Sequence, residues 1–436
     1  MVSFRSIIAV AAAILPFVAA LPAPIAPLST GDFTIKAGSI VQDNYIIILK
    51  DEVTATQFEE HKVWATSLHH RRLTRRDDTS LTGIKYNYHF GKLTGYSGAF
   101  DSVTIEEIKA RDDVKMVEED KVVVAYNLVE QRRAPWGIAR ISHESASASD
   151  NSSTTSYVYD SSAGEGVTAY VIDTGVNIDH KEFEGRAEFG TNTAGGSDED
   201  GQGHGTHVAG TIAGKTFGVA KKATIVAVKV LGDDGSGTNS GVIAGVQWVA
   251  EDASKRGGKA VANMSLGGTF SAALNEVVGA AIESGITFGV AAGNENADAA
   301  DSSPASVSTA ITVGATDPDD SRAVYSNFGA SVDIFAPGTD IESAWIGSTT
   351  ATNTISGTSM ACPHIVGLAA YLISLEGLDS PAAVVKRMKA LSIAGIVTNP
   401  GLDTIDNLAY NGAEGLAGNS TLPSLPFRRR SLYTRY

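Results

Sequence analysis

The stretch AYVIDTGVN (residues 169–177) runs apolar from Ala169 to Ile172, turns acidic at Asp173 and breaks at Thr174-Gly175. A short apolar run closed by a turn signal predicts a buried strand, read over 167–172, with Asp173 at its carboxyl end. Three more such runs follow, at 224–230, 260–266 and 286–292. Longer segments with helical spacing stand between and after them, at 204–214, 238–255, 271–284, 359–375 and 381–391. Strands alternating with helices in this way predict an α/β domain: a mostly parallel sheet with helices on both faces. Ligands of such sheets bind at the carboxyl ends of the strands, so chemistry is expected there.

The chain around this core has 436 residues, a formal net charge of −15 and only 19% charged residues. That length admits two or three domains, or one large domain with appendages. The composition is globular, and the acidic balance argues against nucleic acid as a partner. Residues 1–20 read as a secretory signal, with Arg5 ahead of an apolar run at 7–18 and small Ala19 and Ala20 after it. That run is short for an anchoring helix, and no later stretch reads as long enough to span a bilayer, so no membrane anchor is expected. The single cysteine, Cys362, excludes an intramolecular disulfide.

Residues 21–42 are rich in Pro and Ala and read as a linker. From NYIIILK (44–50) to VVVAY (122–126) there is a small α+β pattern. Its strands are read at 44–50 and 94–100 and its helix at 54–68, before a basic loop, HHRRLTRRDD (69–78). NLVEQRRAPWGIARIS (127–142) is polar and runs into a Pro-Trp turn, and the residues from 412 to 436 read as a polar tail.

Three places carry the residue types of catalysis. Asp173 alone reads equally well as a strand-end acid, and no G-x-G-x-x-G follows it to suggest a dinucleotide. GHGTHVAG (203–210) sets His204 between glycines at a helix start. His204 and His207 lack the acid of an H-E-x-x-H zinc site, so zinc is not expected and His207 reads as a structural neighbour. SGTSMACPH (356–364) offers two nucleophiles, Ser359 and Cys362, and a serine at a helix start is by itself most often a cap. The set changes the reading. Serine becomes a nucleophile when a base takes its proton and a carboxylate orients that base. Asp173, His204 and Ser359 occur in one of the chain orders in which that triad is found. The G-x-S-x-G elbow of an esterase is missing, because Ser359 sits in G-T-S-M.

These motifs, with APWGIARIS, NMSLGG, AAGNENADA, DIFAPG and STTATNTISGTSMACPHIVGLAAYL, resemble the subtilisin family of serine proteases. The likeness is to its proteinase K branch and the oryzin-type fungal alkaline proteases, and it covers residues 128–411 almost continuously. The resemblance implies that Ser359 is the nucleophile, His204 the base and Asp173 its orienting acid. It makes Asn294 the oxyanion donor and leaves Cys362 as a buried small residue. It also implies that Gly235, Ser236 and Gly237 pair with substrate main chain on one side and Ser265, Leu266, Gly267 and Gly268 on the other. With Ala292 and Gly293 the latter would line an apolar pocket, giving a broad preference for hydrophobic or aromatic residues before the cut. No acidic or basic selector is visible. Asp333 matches a calcium ligand, with carbonyls from the loop 304–310 as partners, although the chemistry itself needs no cofactor. Val208 stands where proteinase K has a cysteine, so that enzyme's disulfides do not carry over.

Residues 44–126 resemble the family's inhibitory propeptide, an intramolecular inhibitor within a segment spanning 21–127. EEDKVVVAYN (118–127) would enter the cleft and be cut after Asn127, making Leu128 the mature start. A second protease cutting after Arg132-Arg133 is the alternative. The expectation is therefore a monomeric, secreted zymogen acting on proteins outside the cell, with a vacuole as the other destination. A catalytically inactive binding protein on the same scaffold is the competing reading. Asn151, Asn263 and Asn419 lie in N-x-S/T, and Asn263 is expected bare because it falls in a core strand.

Overall fold

The computed structural model describes residues 40–73, 81–91, 93–121, 128–145 and 155–413. The signal, most of the linker, the end of the basic loop, Asn127, Asn151, Asn419 and the tail beyond 413 lie outside them. Seven parallel strands form the main sheet. Their order is Ile334–Pro337, Ile311–Thr316, Thr287–Ala291, Lys259–Met264, Val167–Asp173, Thr224–Lys229 and Ala187–Asn192. Four of these are the strands read from sequence, with ends shifted by a residue or two. The other three escaped that reading for visible reasons. AEFGTN has exposed positions and a register break around Gly190, ITVGAT is interrupted by glycine, and IFAP is four residues long and ends in proline.

Alternation along the Val167–Asp173 strand divides the core in two. Ala169 and Val171 face one apolar cluster, Tyr170 and Ile172 the other. The helices Thr358–Glu376 and His204–Ala213 pack into the first cluster, and Asn239–Arg256 and Ala272–Glu283 into the second. Helices on both faces of a parallel sheet are thus what the sequence pattern led us to expect. Local chemistry sets the helix ends. Thr238, Ser271 and Ser380 cap with side chains that accept from Gly241, Leu274 and Ala383 amides, and Gly257 and Gly377 end their helices in the left-handed conformation.

One expectation needs correction. The Thr358–Glu376 helix is long and apolar enough to cross a membrane by length and composition, yet 94% of its apolar window is buried here. It is the core helix of a globular domain. Gly412 and Ala413, read as the start of the tail, also belong to the packed domain, since Ala413 is fully buried with its amide on Asn411 Oδ1 at 2.9 Å.

The N-terminal unit is a four-stranded antiparallel sheet in the order Gly83–Phe90, Leu93–Ala99, Ile40–Leu49, Val114–Lys121. The helices Ala55–Leu73 and Ser102–Lys109 accompany it, so His69–Leu73 continue the helix instead of opening the basic loop. Ile47, Leu49, Phe58, Tyr96, Phe100, Ile105 and Ile108 form an apolar core of its own. The small α+β domain ahead of the α/β domain is therefore as the sequence indicated.

Candidate active site

Asp173 closes the Val167–Asp173 strand and is fully buried. Its Oδ1 accepts from His204 Nδ1 at 2.8 Å and from the Thr174 amide at 2.8 Å. A carboxylate can only accept, so the imidazole carries its proton on Nδ1 and presents a free lone pair on Nε2. His204 opens the His204–Ala213 helix and its side chain is 22% exposed. Two glycines make this approach feasible. Gly203 caps the helix at φ 101°, and a Cβ on Gly205 would stand 2.1 Å from the Gly175 carbonyl oxygen. Burial pulls the imidazole pKa down, but the charge and hydrogen bond of Asp173, with a smaller contribution from Asp200, hold it above its ordinary value.

Ser359 lies in the first turn of the Thr358–Glu376 helix. Pro363, four residues on, has no amide hydrogen to give the Ser359 carbonyl. Ser265 supplies the missing donor: its Oγ donates to the Ser359 carbonyl at 2.8 Å and accepts from Asn263 Nδ2 at 2.9 Å. The Ser359 hydroxyl donates in turn to the Ser265 carbonyl at 3.2 Å. It is thus turned toward the Ser265 main chain, and rotation about Cα–Cβ is what brings a serine hydroxyl onto a base.

Asn294 follows the end of the Thr287–Ala291 strand. Its Oδ1 accepts from the Thr358 amide at 2.8 Å and from Thr358 Oγ1 at 3.0 Å. Since the Thr358 amide can only donate, the Asn294 oxygen is fixed on that side and Nδ2 faces the other way. A Cβ built on Gly357 would lie 3.6 Å from both Asn294 Nδ2 and the Ser359 amide nitrogen, so the two donors border one space. Thr358, which sets the asparagine's orientation, was not picked out from the sequence. The neighbouring T-S in G-T-S-M was the available signal.

A cleft runs past these groups. One reach of about 450 Å³ is lined by His204 and the segments 235–237 and 265–268. The next, of about 490 Å³, is lined by 265–268, Gly293, Asn294 and Ser359. The structure so gathers the expected substrate-binding residues, with one exception. Ala292 is fully buried in a separate apolar cluster with Ala299, Val332 and Phe335, and Ala291 lines the cleft instead. Successive residues of an extended chain point to opposite sides, so a one-residue misplacement reverses the assignment. Glu295, Asp298 and Asp301 also border this reach, where no charged selector was expected; Glu295 Oε2 accepts from Asn327 Nδ2 at 2.8 Å.

The other singled-out groups serve the framework. His207 is buried with Nε2 on the Ile341 carbonyl at 2.9 Å, and burial lowers its pKa to about 4. Cys362 is fully buried, and burial pushes its thiol pKa up. Asn263 is fully buried in the Lys259–Met264 strand, which leaves no room for a glycan.

At Asp333, where the resemblance implied a calcium ligand, the carboxylate is engaged by protein donors. Its carboxylate accepts from Lys389 Nζ at 3.0 Å and from the Thr312 amide at 3.1 Å, and the Ala305 carbonyl accepts from Thr312 Oγ1 at 2.8 Å. Both carboxylate oxygens thus already hold donors, one of them a cation. Among the described residues no group of three or more His, Cys, Asp or Glu is placed to hold a metal. We expect a chelator to leave the thermal midpoint unmoved; a fall reversed by added calcium would show that Lys389 swings away to admit the ion.

Comparison with known proteins accords with this geometry. The model of the subtilase family, peptidase S8, matches residues 164–417, past the expected domain end at 411, and that of peptidase inhibitor I9 matches 44–125. Alkaline protease 1 of Aspergillus oryzae is 49% identical over 421 residues, covering 94% of this chain and 100% of that protein. Subtilisin-like protease 1 of Trichophyton rubrum is 49% identical over 381 residues, covering 86% of this chain and 74% of that protein. A crystal structure of a cold adapted subtilisin-like serine proteinase is 47% identical with a TM-score of 0.58, covering 64% of this chain and 98% of that one. The chain belongs to the subtilase family: it is a subtilisin-like serine protease with an I9 inhibitor domain ahead of its peptidase domain.

Proposed function

We propose that Ser359, His204, Asp173 and Asn294 carry the hydrolysis of peptide bonds. The 2.8 Å bond between His204 Nδ1 and Asp173 is the observation that carries this reading, because it presents Nε2 as a base beside the cleft. Ser359 Oγ adds to the peptide carbonyl carbon while His204 takes its proton. Asp173 stabilises the imidazolium, and Asn294 Nδ2 with the Ser359 amide receives the charge on the carbonyl oxygen. Collapse releases the amine with the proton from His204, and water, deprotonated in turn by His204, frees the acyl group. A serine-directed phosphonate should label Ser359 and stop casein hydrolysis together. Labelling elsewhere, or hydrolysis that persists after full labelling, would sink the assignment.

Leu266, Ala291, Ala297 and Ala305 among the cleft walls support a broad preference for hydrophobic or aromatic residues before the cut. The signal-like residues 1–20 support entry into the secretory pathway, and we assign the protein to the extracellular space with the vacuole as the other destination. We assign residues 21–127 to a propeptide, 128–411 to the peptidase domain with a short packed extension, and the remainder to the tail.

Self-cleavage after Asn127 is favoured over cleavage after Arg132-Arg133. Leu128–Arg132 pairs antiparallel with Ser156–Asp160, so a cut after Arg133 would strip a bonded strand from the domain. Arg-Arg also matches no apolar pocket. The Ser359→Ala chain, expressed alone in a host lacking other proteases, should fold and accumulate with residues 21–127 attached. Normal removal of that segment in the variant would refute self-processing.

A further inference from the structure

We propose that Asp200 is a positioning residue for the His204–Asp173 pair, its buried carboxylate locking the turn after Asp173 to the first turn of the helix that carries His204. This rests on the reading of His204 as the base. Asp200 is 6% exposed and lies in the polar stretch GGSDEDGQG. Oδ1 accepts from Thr174 Oγ1 at 2.9 Å, from the Gly203 amide at 2.8 Å and from the Gln202 amide at 3.2 Å. Oδ2 accepts from the Thr206 amide at 3.0 Å and from Thr206 Oγ1 at 2.6 Å. Five donors converge on one side chain, and only an ionised carboxylate accepts them all without a proton of its own.

These bonds reach both catalytic partners at one remove. Thr174 gives its amide to Asp173 Oδ1, and its hydroxyl oxygen accepts from the Gly205 amide at 3.0 Å. Gly203 and Thr206 flank His204 on the helix. A Cβ on Gly175 would lie 3.2 Å from Asp200 Cα, so the loop sits hard against the turn. Asp200 also places a negative charge at a helix N-terminus, where the free amides favour it.

That charge favours the imidazolium of His204. The other groups near this pair are Asp173 from the Val167–Asp173 strand and His207 from the same helix. Lys229 faces the turn from the adjacent strand with Nζ on the Thr174 carbonyl at 2.7 Å and on Asp233 Oδ1 at 2.9 Å. Cys362 and His364 are contributed by the Thr358–Glu376 helix; both are buried, and burial keeps His364 neutral with a pKa of about 4.

The test expresses the full chain and counts mature sites by phosphonate labelling, so that rates are expressed per competent site. Asp200→Asn should lower kcat per labelled site by about tenfold or more with KM little changed, the scale expected when a reacting group loses its alignment. The acid limb of its pH profile should also move to lower pH, because one charge favouring the imidazolium is gone. Thr174→Val and Thr206→Val each cut a tie but keep the charge, so kcat should fall while the limb stays. A wild-type kcat per site in Asp200→Asn, or an unmoved limb, overturns the proposal. If Asp200→Asn gives no mature enzyme, Thr174→Val decides, and an unchanged kcat there overturns it. Failure of the phosphonate to label wild-type Ser359 would instead overturn the triad reading.

Discussion

Ser359→Ala should reduce kcat by about 10⁶, the loss known for the catalytic serine of subtilisin itself, while Cys362→Ser should keep most of the activity. The two residues are one helical turn apart, yet their surroundings differ in every respect that matters to a nucleophile. Ser359 borders the cleft and shares hydrogen bonds with Ser265. Cys362 is fully buried, its sulfur 3.5 Å from where a Cβ on Gly289 would stand, and burial holds its thiol protonated. A protonated, inaccessible thiol neither attacks nor is attacked. Cys362→Ser replaces a buried thiol by a more polar hydroxyl, with Ser265 and the Met264 backbone in reach as partners, and should cost no more than about 1–3 kcal/mol of stability, so its activity is best read well below the melting range. The check is inactivation by a thiol-alkylating reagent against inactivation by the phosphonate. Comparable sensitivity to the two would reverse the assignment.

The proposed triad was legible because Asp173, His204 and Ser359 each stand where the chain punctuates itself: an apolar strand ending in acid, a histidine between glycines, a serine at a helix start. The α/β architecture was legible for the same reason, through long apolar runs alternating with helical spacing. What could not be read depends on partners remote in sequence or on the parity of a strand end. Asp200 is not singled out by any local pattern; its role depends on Thr174 and Thr206, which close on it in the fold. Lys389 stands 56 residues from Asp333, and no local pattern announces that it neutralises that carboxylate. Ala292 was misplaced because successive residues of an extended chain face opposite sides: Ala291 lines the cleft, and Ala292 packs with Ala299, Val332 and Phe335. Pro363 is the instructive intermediate case. A proline inside a helix is visible in sequence and says that the carbonyl four residues before it, that of Ser359, needs another donor; only the fold shows that the donor is Ser265.

Replacing Asn294 by leucine, similar in size but without a donor, should lower kcat by about 10²–10³ with little change in KM, a magnitude known from the oxyanion asparagine of subtilisin itself. The ground-state carbonyl is a weak acceptor, whereas the oxygen of the tetrahedral intermediate carries nearly a full charge, so the lost bond counts chiefly in the transition state. Here the amide is oriented before substrate arrives. Both bonds to its Oδ1 come from Thr358, whose hydroxyl oxygen accepts from the Gly293 amide at 3.1 Å. Nδ2 therefore needs no reorganisation as the charge develops. Thr358→Val removes one of the two bonds on Oδ1 and leaves the backbone donor, so its loss should be smaller and again confined to kcat. An unchanged kcat in Asn294→Leu would mean that the oxyanion is held elsewhere. A rise in KM that accounts for the whole effect would make Asn294 a substrate-binding residue, because uniform binding of substrate and transition state leaves kcat alone.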